Sequence, residues 1–200
     1  MEVGMYPRAR LDALTDGIFG VAMTLLVLDV RLPDEFHPKD VHDLVEGLLG
    51  LTSKFIPYVL SFLVLGLRWL SNIQVRSRTD AVGKDFTGWW LLYLLLITCV
   101  PLSTIIVGRF SNLAPAIWVY AGNTALIAVV SFLMLAHTPN LEQGAELHDR
   151  QISLAILMAT SLVMVLVSFF EPRHALWVLA LNLAAPFIAK WTGKAAMEPE

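Results

Sequence analysis

Apolar residues gather in six long runs separated by short polar breaks, at roughly 13–31, 54–73, 88–108, 114–136, 152–170 and 175–190. These runs approach or exceed the about 17–25 residues a helix needs to cross a bilayer. The pattern predicts an all-α membrane protein with six transmembrane helices per subunit. The connections are short, so residues 1–200 form one six-helix membrane domain with no room for a soluble partner domain. Between the first two spans, Val41, Leu44, Val45, Leu48 and Leu49 recur at helical spacing with Asp43 and Glu46 between them, the pattern of a short interfacial helix. Pro57 falls within the first turn of the second span as bounded here, where a missing N–H is tolerated. Pro101 sits mid-span in the third and frees a carbonyl, which Ser103 and Thr104 are placed to satisfy.

The first run carries the most specific polar pattern, reading from Arg10 through Asp16-Gly17 to Asp29. A charge at the mouth of a hydrophobic helix is costly and persists when it is paired, water-facing or functional. At about 100° per residue, Val21, Thr24, Leu25 and Leu28 fall on one stripe and Asp16 points to roughly the opposite side. The carboxylate therefore looks toward neighbouring helices, leaving the aliphatic stripe free to face a pore. The simpler alternative is that the stripe packs or meets lipid, that Arg10 anchors the membrane edge, and that Asp16 serves the helix macrodipole. Arg10 and Asp16 are six residues apart and share no face, so their partners come from other helices. Trp69, Asn72, Trp90, Ser103 and Thr104 are the polar or amphipathic candidates.

Composition agrees with the spans: 56% hydrophobic, 16% charged and a mean hydropathy of +0.66 do not describe a soluble globular chain. The net charge of −3 is too small to suggest nucleic acid. Cys99 stands alone, so no intrachain disulfide forms. The five histidines, His37, His42, His137, His148 and His174, lie in loops or at span ends without a zinc spacing. No nucleophile, acid–base pair or ligand set converges, so the chain is expected to be no enzyme and to need no cofactor or metal beyond ions in transit. The apolar start carries Asp16 and lacks a small-residue cleavage pattern, which argues against a signal peptide. Arg8, Arg10, Arg76, Arg78, Lys84, Arg150, Lys190 and Lys194 outnumber the basic residues of the opposite loops, which places both termini in the cytoplasm. The polar residues 194–200 form a tail.

No Thr-Val-Gly-Tyr-Gly run is present. A channel built from this chain must therefore filter ions in another way, and a hydrophobic constriction that gates by dewetting is the available alternative. Val21, Leu25 and Leu28 are spaced for stacked aliphatic rings. A single helix cannot enclose a pore and the chain has no internal repeat, so several copies must meet. The rivals are a secondary transporter, which calls for inverted repeats and broken helices, and a non-conducting membrane scaffold. Spans four to six carry no counterpart of the Arg10–Asp16 motif.

Arg10-Leu-Asp-Ala-Leu14-Thr15-Asp16-Gly17, followed by Thr24-Leu-Leu-Val-Leu and an acid, resembles the Arg-x-x-x-Phe-Ser-Asp-Gly signature of the transmembrane-protein-175 potassium channels, in their prokaryotic branch. Tyr58-Val-Leu-Ser61-Phe62 through Trp69 and Pro101-Leu-Ser103-Thr104 continue the likeness. The resemblance implies a homotetramer in a prokaryotic cell membrane, with the first helix of each subunit lining a central pore. It places Val21 where the family has its constricting Ile, Leu25 and Leu28 at the next rings, and Thr24 between them. It implies that Arg10 and Asp16 belong to an interhelical hydrogen-bond network, to which Thr15, Trp69, Asn72 and Ser103 are assigned. The permeant ion it implies is potassium, with other monovalent cations or protons possible, and the surroundings are lipid. Leu14, Thr15 and Val21 depart from the signature's Phe, Ser and Ile, and Asn72-Ile73 replaces a His pair.

Overall fold

The computed structural model describes residues 6–74, 81–137 and 145–184. Arg76, Arg78, Lys190, Lys194 and the polar tail lie outside the described residues, as does the 185–190 part of the sixth run. The chain opens with a two-residue strand β1 (Tyr6–Pro7) and then α1 (Arg8–Leu25), which tightens into a 3₁₀ turn at Leu26–Asp29. Next come the connecting helix α2 (Val41–Gly50), α3 (Thr52–Gln74), strand β2 (Ala81–Val82), α4 (Lys84–Arg109), α5 (Ala114–Ala136) and α6 (Ala145–Ser168). Helical backbone resumes as α7 (Pro172–Ala175), a 3₁₀ turn at Leu176–Ala180 and residues 181–184.

Among the described residues, five stretches are long and apolar enough to span a membrane: Arg8–Asp29, Thr52–Ile73, Lys84–Arg109, Ala114–Ala136 and Leu147–Ser168. Several helices begin before their apolar runs, because the run marks the part that needs an apolar surrounding and the backbone helix continues through polar residues. Pro7, with φ at −59°, turns the chain out of β1 into α1 five residues ahead of position 13. Starting α3 at Thr52 puts Pro57 inside the helix, beyond its first turn. The hydroxyls of Ser103 and Thr104 both donate to the Val100 carbonyl at 2.9 Å. They therefore do not satisfy the Ile97 carbonyl that Pro101 leaves without its i+4 donor. The expected connecting helix is present and is capped by Asp40, whose side chain accepts from the Asp43 amide at 2.8 Å. An all-helical reading did not anticipate the small antiparallel ladder that pairs Tyr6 with Val82 and Pro7 with Ala81, tying the start of α1 to the entry of α4.

α4 is the centre of the bundle, packed against α1, α3 and α5, and α6 packs on the far side of α5. Phe19, Leu65, Leu94, Ile97, Ile117, Tyr120, Leu157 and Met164 are among the side chains it buries. Small polar residues join neighbouring helices in the interior. Thr104 shares a 2.9 Å hydrogen bond with Ser61, Ser61 shares one of 3.0 Å with Tyr120, and Thr124 shares one of 2.9 Å with Ser161. Asn182 donates to Thr160 at 2.9 Å, fastening residues 181–184 to α6. In lipid, where tails are as apolar as leucine, packing and such bonds hold helices together in place of hydrophobic burial.

Candidate pore-lining face of the first helix

α1 has two faces of opposite character. Thr15, Phe19, Ala22, Leu26 and Asp29 are buried, a stripe that lies against the rest of the protomer. Arg10, Leu14, Gly17, Val21, Thr24, Leu25 and Leu28 are exposed along the other side. Val21 is 58% exposed, Leu25 41% and Leu28 62%, values foreign to a helix packed on all sides. α1 is also the least enclosed span, its most apolar window 22% buried against 50% for α4. The described residues leave its aliphatic stripe largely uncovered.

The backbone sharpens this face. In a 3₁₀ turn, side chains three apart eclipse, so tightening after Leu25 sets Leu28 directly beyond Leu25 along the axis. The Thr24 hydroxyl donates to the Val21 carbonyl at 2.8 Å, which turns one polar group back onto the helix between the aliphatic levels.

Contacts at several heights hold the opposite face. Phe19 packs on the Tyr93 ring of α4, centroids 6.2 Å apart. Trp69 of α3 donates its indole N–H to the Asp16 carboxylate at 2.8 Å. At the end of the 3₁₀ turn, the buried Asp29 accepts from the Arg109 guanidinium at the end of α4, with Nε 3.0 Å away and a closer bond from Nη2. Lys54 then donates to the Arg31 carbonyl at 3.2 Å.

The residues assigned to the interhelical network are not all brought together. Asp16 and Trp69 bridge α1 and α3. Asn72 reaches α4 instead, donating to the Tyr93 hydroxyl at 2.8 Å, and so meets α1 through the ring that Phe19 packs on. Thr15 and Ser103 bond carbonyls of their own helices, Leu11 at 3.0 Å and Val100 at 2.9 Å. The interhelical hydroxyl near Ser103 is its neighbour Thr104. Arg10 is exposed on the same stripe as Val21 and has no polar partner among the described residues. Tyr93 and the Asp29–Arg109 pair were not singled out from sequence as a network. A lone acid at the end of an apolar run is the available signal for Asp29, whereas nothing in a single sequence pairs it with Arg109, eighty positions away.

The five apolar membrane-length helices among the described residues, one of them half uncovered, define a multi-pass helical membrane protein. The family model described as "Endosomal/lysosomal potassium channel TMEM175" matches residues 10–101. A potassium channel of Chamaesiphon minutus is 30% identical over 147 residues, 70% of this chain and 72% of that one. A potassium channel of Streptomyces collinus is 31% identical over 129 residues, 64% of this chain and 61% of that one. The crystal structure of a Chamaesiphon minutus homologue of the lysosomal potassium-selective channel TMEM175 superposes with a TM-score of 0.73 at 26% identity, covering 90% of this chain and 97% of that one. The chain belongs to the TMEM175 family of ion channels, and is a channel protein, not an enzyme.

Proposed function

We propose that this chain is one subunit of a homotetrameric, potassium-permeable cation channel of a prokaryotic cell membrane, with both termini cytoplasmic. Six membrane helices make the subunit, the sixth drawn from the apolar run at 175–190. Four copies of α1 surround a central pore, and rings of Val21, Leu25 and Leu28 form its hydrophobic constriction. The observation that carries this reading is the uncovered aliphatic stripe of α1, on a helix whose other face is held by Phe19, Asp16 and Asp29. A closed C4 arrangement gives such a face a place on the symmetry axis. The names of the bacterial relatives point to potassium as the permeant ion. A cation passing the aliphatic rings sheds part of its hydration shell, and potassium sheds water more cheaply than sodium. The Thr24 hydroxyls between the rings compensate part of that loss. Other monovalent cations, protons included, are open to the same path.

The test is planar-bilayer recording of purified protein under potassium–sodium bi-ionic conditions. Val21→Ser and Leu25→Ser should hold water in the neck, raise conductance and shift the reversal potential toward weaker discrimination against sodium. Leu162→Ser, at a residue as exposed as Val21 but on α6, should leave both unchanged. Wild-type currents and reversal potentials in both α1 variants would remove the pore assignment. Flux that saturates and couples to an ion gradient would favour the secondary transporter, and an electrically silent monomer the scaffold.

A further inference from the structure

At the end of the bundle where α1 begins, a cavity of about 70 Å³ lies among Arg8, Asp12, Thr15, Asn72, Trp90 and Arg150. Its volume accommodates several waters or one tetrahedral oxyanion. Arg150, on α6, is only 9% exposed and makes no hydrogen bond or ion pair with any described residue. Its electrostatic neighbours are Tyr93 and the like-charged Arg8. Arg68, also buried, adds a third cation nearby and spends one guanidinium nitrogen on the Ser153 carbonyl at 2.8 Å. Among the described residues that line the cavity the one acid is Asp12, which pairs with Arg8 at 3.8 Å, is itself largely in solvent and does not pair with Arg150. Burying a guanidinium without a compensating charge is strongly unfavourable.

We propose that this cavity binds a phosphate-type oxyanion, with Arg150 as its principal ligand and Arg8 on the opposite wall. A planar guanidinium presents paired N–H donors that match two oxygens of one phosphate, which a spherical halide does not exploit. The site lies at the end of the membrane-length helices, so inorganic phosphate and the phosphodiester of an anionic lipid are two sources of one chemistry. Anion occupancy would tie α6 to the first turns of α1 and brace the pore helix from behind. The inference stands independently of which face of α1 lines a pore.

The experiment is thermal unfolding of the full-length protein with inorganic phosphate added at constant ionic strength, chloride serving as the balancing anion. A second arm uses nanodiscs of phosphatidylcholine with or without phosphatidylglycerol. A saturable rise in melting temperature with phosphate is expected, with Arg150→Met shifting half-saturation at least tenfold. Stabilisation by phosphatidylglycerol alone, lost in Arg150→Met, identifies the lipid phosphodiester as the ligand. Should Arg150→Met fail to assemble, Leu135→Phe, which fills the cavity and keeps the arginines, should abolish the same response. Equal stabilisation by chloride, or a phosphate and lipid response unchanged in the variant tested, would overturn the proposal.

Discussion

Truncating Phe19 to alanine tests the division of α1 into a packed and an unpartnered face. Phe19 is fully buried and its ring lies against Tyr93 with centroids 6.2 Å apart. In a soluble core, Phe→Ala costs about 3–5 kcal/mol, part of it transfer of the ring to water. In a bilayer most of that transfer contribution is absent, because lipid tails are as apolar as the core. What remains is the void: about 100 Å³ of removed ring at roughly 24 cal/mol per Å³ comes to near 2.4 kcal/mol if nothing collapses. Losing the aromatic pair contributes about 0.5–1.5 kcal/mol more. Phe19→Ala should therefore destabilise the protomer by about 2–4 kcal/mol. Leu25→Ala, on the uncovered face, should change protomer stability by no more than about 0.5 kcal/mol. Denaturant titration in detergent micelles, followed by tryptophan fluorescence, reads both, since Trp69 and Trp90 lie close to α1. The titration must run at a concentration where both variants keep the wild-type assembly state. A Phe19→Ala cost below about 0.5 kcal/mol, or equal costs for the two variants, would refute this assignment of faces.

Three further outcomes follow from the polar contacts. Ser61→Ala should cost about 1–3 kcal/mol because it strands the buried Tyr120 hydroxyl; Tyr120→Phe leaves Ser61 its Thr104 partner and should cost only about 0.6 kcal/mol, an order that thermal unfolding of the two variants checks. Trp69→Phe removes the bond to Asp16, but the carboxylate is exposed and keeps its solvation, so the loss should stay under about 1 kcal/mol in the same assay. Arg109→Gln should damage assembly more than Asp29→Asn, because it leaves the buried carboxylate charged and unpaired while the reverse change leaves a half-exposed guanidinium in solvent; the yield of assembled protein on size exclusion decides between them.

The family resemblance was legible in the sequence chiefly over Arg10–Asp29, where three of the signature's five specified positions, Arg10, Asp16 and Gly17, stand just ahead of an aliphatic run. Helical periodicity also placed Val21, Leu25 and Leu28 on one stripe, since angle around a helix depends only on separation along it. The interior network was less legible. Asp16 finds Trp69, yet Asn72 serves Tyr93, and of the two candidate hydroxyls Ser103 and Thr104 it is Thr104 that reaches another helix. One residue of register at the end of a side chain selects between such neighbours, and helix rotation within the bundle sets that register. Pro57 shows the same limit, since its place inside α3 depends on a helix start that the apolar run does not mark.

By itself, then, the sequence determined the membrane class, the location of five spans and which side chains share a face of α1. Each of these is a local property of run length or spacing. The tertiary structure alone decided that the stripe through Val21 is the uncovered face and the stripe through Phe19 the packed one. It alone paired Asp29 with Arg109 and set Arg150 beside Arg8 at a cavity. Burial and charge pairing are sums over neighbours distant in the chain, and those neighbours exist only once the helices have packed.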